Sequence, residues 1–293
     1  MKAEMMKRVG DAVIHEIGDG YEVSFHKIVK NNNFVRLAIV IRRTGDTVCP
    51  VIYIDELLKK INSGCKSVQS AAMEIADMYR NVELQGFSNS VIELSKNSIL
   101  EDVVYQIVNT KLNVNRLSNI PHKELFDLSA VYRVVVNDDD GGTNTIEVDY
   151  NLCSTYAISN DELEFYARRN TKEKGFCIMT MQEIMAEMMG APVETIQEEC
   201  PPMYIFTNAE KVNGASVMLY GEYFGELSAK LRSDLYIMPS SIHEVIAVPA
   251  DGLNPDDLRR MVAEVNARAV SSEEILGESV YKYNLETGML EIV

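Results

Sequence analysis

Apolar residues open the chain at helical spacing. Met5, Met6, Val9, Val13 and Ile17 fall on one face of a 3.6-residue repeat, and the pattern stops at Gly18-Asp19-Gly20. Residues 21–29 and 34–43 then read as two strands, separated by Asn31-Asn32-Asn33, residues that tolerate the left-handed backbone of a turn. A helix followed by a hairpin is the expectation. Residues 47–54 form a candidate third strand and residues 55–61 a short helix. Val68, Ala71, Ala72, Ile75 and Tyr79 then recur at i, i+3 and i+4 and predict a longer helix. This order suits one layer of sheet covered by helices.

The stretch 83–96 is polar and carries turn formers, which marks it as the join between domains. The chain therefore divides into an N-terminal α/β unit (1–86), a connection (87–98) and a larger domain (99–293). In the latter, residues 103–108 and 126–136 read as strands, the second turning at Asp138-Asp139-Asp140-Gly141-Gly142 into 145–148. Capping boxes at Ser159-Asn160-Asp161-Glu162, Thr180-Met181-Gln182-Glu183 and Ser271-Ser272-Glu273-Glu274 predict three helices, and Asn254-Pro255 predicts a fourth. Strands are expected at 203–207, 215–219, 235–238, 242–249, 280–283 and 289–293. The mixed order and hairpin-length connections point to an α+β fold with predominantly antiparallel strands.

Composition narrows the function classes. The 293 residues carry 28 basic and 44 acidic side chains, a net charge of −16, and the basic residues occur as scattered pairs. Such a chain repels a phosphate backbone, so direct nucleic-acid binding is not expected. The acidic residues are dispersed as well, so a solvated surface is preferred to mimicry of a nucleic acid, which stays a minor alternative. No apolar run is long enough to span a bilayer, and Glu4, Lys7, Arg8 and Asp11 interrupt what would be a signal-peptide core. The nearest of the five cysteines, Cys49 and Cys65, stand 16 positions apart, which rules out CxxC knuckles. They read as mostly buried thiols of a cytoplasmic protein.

The chemistry-bearing motifs are incomplete. There is no GxxxxGK[ST] or GxGxxG; His243-Glu244 lacks the second histidine of HExxH, since Ala247 stands there; and the Asp138 turn has Thr143 where a calcium loop needs glycine. No cofactor and no metal is expected. The segment around Pro239-Ser240-Ser241-Ile242-His243-Glu244 is the most unusual, with two hydroxyls, an imidazole and a carboxylate between apolar strands. Ser240, Ser241, His243 and Glu244 are therefore the catalytic candidates. If 242–248 is one strand, however, His243 and Glu244 point to opposite faces, and a hairpin turn explains the hydroxyls equally. Asn208, His122 and Asp127 are weaker binding candidates, Asn208 and Asp127 also as groups that orient His243. Met181, Met185, Met188 and Met189 share a helical stripe, read as core in preference to a partner-binding face.

Three segments, 105–128, 203–208 with Gly214-Ala215, and 234–244, resemble in order and spacing an uncharacterised bacterial family, domain of unknown function 5688, common in gut-associated Gram-positive bacteria. The resemblance covers nearly the whole chain. It implies a cytoplasmic bacterial protein, carried in some cases on mobile elements or prophages, and transfers no site. The leading expectation is a non-enzymatic binding or interaction protein whose partner is an unidentified protein or small ligand, without a membrane. The alternative is a hydrolase-like enzyme with a Ser/His/Glu site at residues 239–244.

Overall fold

The computed structural model describes residues 2–43, 49–84, 94–137, 143–196 and 202–293. It is a mixed α+β structure with antiparallel sheets, and its chain contacts separate into two compact units.

In the first unit, helix α1 (Lys2–Ile17) leads into strands β1 (Tyr21–Val29), β2 (Val35–Arg43) and β3 (Val51–Tyr53), then helices α2 (Asp55–Asn62) and α3 (Val68–Leu84). The three strands pair antiparallel in the order β1-β2-β3, and β1 and β2 hold an unbroken nine-residue register from Tyr21↔Arg43 to Val29↔Val35. Asn32 and Asn33 adopt left-handed backbone at the turn between them. Val9 and Val13 of α1 meet Leu37, Ile39 and Ile41 of β2 and Ala72, Ile75 and Tyr79 of α3, so the helical and two-residue periodicities share one core. The Asp55 carboxylate accepts the Leu37 N–H at 3.0 Å, fastening α2 to the sheet.

The second unit holds two antiparallel sheets over one core. Helix α4 (Lys96–Asp102) leads into β4 (Val103–Asn109), helix α5 (Val114–Leu117), β5 (His122–Leu125), β6 (Leu128–Asn137) and β7 (Thr143–Glu147). Strand β6 is long enough to pair with β4 along one side and with β5 and then β7 end to end along the other. Helices α6 (Tyr150–Tyr156) and α7 (Asn160–Glu173) follow, then β8 (Cys177–Thr180), α8 (Met181–Met189), β9 (Tyr204–Thr207), α9 (Gly221–Leu231), β10 (Leu235–Met238), β11 (Val245–Pro249), α10 (Pro255–Ala269), β12 (Tyr281–Tyr283) and β13 (Leu290–Ile292). The latter strands form a six-stranded sheet in the order β13-β12-β10-β11-β9-β8. Alternation sends Leu235, Ile237, Val245 and Ala247 into a core shared with Tyr105, Ile107, Leu128 and Phe224. Met238 and Val248 face the other way, onto Leu258 and Val262 of α10.

The capped helices begin where expected. Ser159 and Thr180 each close a capping box, and the Asn254 side chain accepts the Asp256 N–H ahead of Pro255. Three of the expected elements differ. Residues 271–274 make a single turn, not a helix, because Ile275 leaves it to bridge Ser241. Residues 214–219 form a 3₁₀ helix where a strand was expected; Gly214 to Met218 are all buried, and a run with no polar face carries no periodicity to read. Strand β11 starts at Val245, three residues later than expected, because Ile242 spends its backbone on neighbouring loops. Among the described thiols only Cys153 is buried; Cys49 and Cys177 are half-buried and Cys65 is exposed, while Cys200 and the Asp138 turn lie outside the described residues.

Candidate functional site

The segment 239–244 connects β10 to β11, and two neighbouring loops clamp it. On one side Ile242 N–H donates to the Glu274 carbonyl at 2.9 Å and Leu276 N–H to the Ser240 carbonyl at 2.9 Å. On the other, Ala215 N–H donates to the Ile242 carbonyl at 3.2 Å and the Thr207 hydroxyl to the His243 carbonyl at 2.9 Å. Gly214 is required at this crossing: a Cβ there would stand 2.4 Å from both the His243 carbonyl oxygen and Thr207 Oγ1. Ser240 and Ser241 are buried, and Ser241 Oγ accepts the His243 N–H at 3.0 Å, the short side-chain-to-backbone loop that the turn reading expects.

The half-buried His243 ring is hydrogen-bonded at Nδ1 and has a carboxylate near Nε2. Nδ1 accepts the Asn213 N–H at 3.3 Å, and Asn213, in left-handed backbone, is itself fixed by Gln106 Nε2 donating to its Oδ1 at 2.8 Å. A bare Nδ1 puts the proton of the neutral ring on Nε2, which lies 3.5 Å from Glu274 Oε1. The carboxylate beside His243 is thus Glu274, from the turn at residues 271–274, and not Asp127, which bonds to Ser279 and Tyr281. Glu244 stands beside these groups: burial pushes its carboxyl above the ordinary carboxylate range, while the Ser241 hydroxyl and His243 hold it back and Glu274 adds to the rise. The geometry joins Ser241, His243 and Glu244 in one turn but directs the ring to Asn213 and Glu274 instead of to a serine hydroxyl.

The weaker candidates are dispersed. Asn208 folds its amide onto its own loop, donating to the Val212 carbonyl at 2.8 Å and accepting the Val212 N–H at 3.1 Å. His122 is exposed at the start of β5, with Nδ1 3.0 Å from the Ile120 carbonyl. Asp127 accepts the Ser279 hydroxyl at 2.6 Å and also the Tyr281 hydroxyl, so it ties β12 to the β5–β6 turn. Burial and that carboxylate drive the Tyr281 phenol far above its usual value. A depression of about 280 Å³ beside α4 and α7 is lined by Glu101, Asp102, Glu173 and Lys174 and holds none of the sequence candidates. Among the described residues no three His, Cys, Asp or Glu side chains are grouped to hold a metal ion, and no helix is long and apolar enough to cross a membrane.

Helix α8 departs from its expected role. Only Ala186 is buried in it, whereas Met185, Met188 and Met189 are 38%, 83% and 67% exposed. Periodicity places these methionines on one stripe but does not say that anything covers it. Val193, in the turn that follows, is exposed as well, and Glu187 on the same helix is bonded to Lys211.

The sequence model of a family of unknown function (DUF5688) matches residues 2–285. The chain belongs to that family. No curated protein and no solved structure matches it. In this DUF5688 chain the site residues that sequence reading missed are Glu274, Asn213, Thr207 and Gln106. Each reaches the turn at residues 239–244 through long-range contacts, and the only local signal for any of them is the Asn213-Gly214 pair, which punctuates a loop.

Proposed function

We propose that the protein is a non-enzymatic interaction protein whose second unit presents the α8 methionines to an apolar segment of a partner. The observation that carries this reading is the exposure of Met185, Met188 and Met189 on one short capped helix. Methionine is unbranched and polarisable, so a methionine surface repacks around differently shaped apolar side chains. The net charge of −16 favours basic residues flanking that apolar segment.

The arrangement at residues 239–244 supports binding over catalysis. A serine nucleophile needs an unprotonated imidazole nitrogen facing its hydroxyl. Here that nitrogen is taken by the Asn213 N–H, and the Ser241 oxygen serves the His243 backbone. These contacts make the turn a strut between β9, β11 and the 271–276 loop.

Fluorescence anisotropy with a labelled amphipathic peptide, leucines on one helical face and lysines on the other, tests the reading. Saturable binding weakened about tenfold or more by Met185→Ser with Met188→Ser and Met189→Ser is expected, since central apolar anchors are each worth about 1–2 kcal/mol or more. Equal binding by the triple variant would overturn it. Ester or peptide turnover abolished by His243→Ala would establish the hydrolase reading instead.

A further inference from the structure

The loop at residues 208–213 leaves β9 and returns to the buried crossing at Gly214. Asn208 closes it on itself through Val212, and both Lys211 and Asn213 take left-handed backbone, which residues other than glycine adopt uncommonly. Two bonds from outside the loop hold Asn213 there. Gln106 Nε2 donates to its Oδ1 at 2.8 Å, and its N–H donates to His243 Nδ1 at 3.3 Å. The first bond has no ionisable member. The second exists only while Nδ1 carries no proton, and a protonated imidazole is a donor at both nitrogens. Whichever way a charged ring turns, it therefore offers the Asn213 N–H no acceptor.

We propose that His243 is a proton-operated latch on this loop: the neutral ring holds Asn213, and the protonated ring stays in place and releases it. The charged groups around the ring decide which partner gives way. Glu274 stands 3.5 Å from Nε2, and the adjoining Glu244 also interacts with the ring, so both carboxylates attract a positive imidazole. On the loop side Glu210 and Lys211 are turned to Lys174 and Glu187, while β4 presents the uncharged Gln106. The turn at residues 239–244 is clamped by backbone groups and the Thr207 hydroxyl, none of which titrates in this range. Acid therefore frees the 208–213 loop and leaves the turn where it is.

NMR of the full chain between about pH 8 and about pH 5.5, where an imidazole gains its proton, tests this through the backbone amides and the histidine ring carbons. The Asn213 amide signal is expected to shift with the same midpoint as the His243 ring signals. Its protection from hydrogen exchange is expected to fall about 2- to 12-fold, the equilibrium factor of one net hydrogen bond, while the amides of Ala215 and Leu276 stay protected. His243→Asn sets an amide oxygen close to the place of Nδ1 and takes up no proton, so in that variant the Asn213 amide should keep its signal and its protection. A wild-type Asn213 amide that does not respond, or responds with another midpoint, overturns the proposal. So does a response that persists in His243→Asn, which would assign it to Glu244 or Glu274; the two wild-type midpoints decide the matter if the variant fails to fold.

Discussion

Gly214→Ala is the substitution that most directly perturbs the clamp on the turn at residues 239–244. Its backbone conformation is open to any L-residue, so the whole effect comes from space. The new Cβ would lie 2.4 Å from the His243 carbonyl oxygen, 2.4 Å from Thr207 Oγ1 and 2.8 Å from Thr207 Cα, and two of these three atoms are backbone. None can swing aside as the end of a long side chain would. Forcing them apart costs about 1–3 kcal/mol as overpacking, and it separates the Thr207 hydroxyl from its carbonyl acceptor for about 1 kcal/mol more. A loss near 3 kcal/mol lowers the melting temperature of a unit of this size by about 6–12 °C, at about 2–4 °C per kcal/mol. Scanning calorimetry on the full chain checks it, with Gly221→Ala as control, because a Cβ there meets only Tyr283 Cε2 at 3.9 Å. A Gly214→Ala chain melting within about 2 °C of wild type, against the loss of about 6–12 °C expected, would refute the claim that the two loops are locked at this crossing.

Asp127→Asn keeps the shape of the side chain but removes the charge that Ser279 and Tyr281 share. It should destabilise by about 1–3 kcal/mol, read from urea unfolding, and should bring the Tyr281 phenol back toward ordinary titration in an ultraviolet difference titration. Glu244 has a raised folded pKa, so the native state binds its proton more readily than the unfolded chain and stability is penalised once the carboxyl ionises. Glu244→Gln should therefore stabilise the protein at neutral pH, and the advantage should vanish as pH falls below the ordinary carboxylate range; a gain independent of pH would contradict that cause. Glu162 goes the other way. Bonds from Lys96 and Ser159 lower its pKa to about 2, so its contribution is present above the ordinary range and lost as pH falls toward 2, with a carboxyl carbon NMR midpoint near that value.

How far the sequence is legible depends on how local each signal is. The first unit was read almost element by element, because α1, β1, β2 and α3 each have one buried face and the asparagine turn lies between them. Ser159, Thr180 and Asn254 marked helix starts correctly for the same reason: a cap is satisfied within three residues. Helix α9 was invisible. It begins at Gly221, and Gly225 in its middle sits where a Cβ would come 2.8 Å from the Tyr283 hydroxyl, so tertiary packing chose a residue that helix propensity disfavours. The Ser271 box, which matched a helix start, is overruled by the bridge from Ile275 to Ser241. At the site, Ser241, His243 and Glu244 were legible as an unusual group. Their partners were not, because Glu274 and Asn213 lie about thirty residues from His243 in opposite directions along the chain, and only the loops' mutual hydrogen bonds bring them there.

The central claim, that α8 presents a methionine surface for a partner, is tested most directly by methyl NMR. The chain labelled with ¹³C at its 15 methionine methyls gives separate signals, assigned by single substitution and titrated with the leucine- and lysine-bearing peptide. The account predicts saturable shifts of Met185, Met188 and Met189, with the buried Met218 and Met238 unmoved. Binding that leaves all three α8 methyls unshifted, or no binding at all, would contradict it.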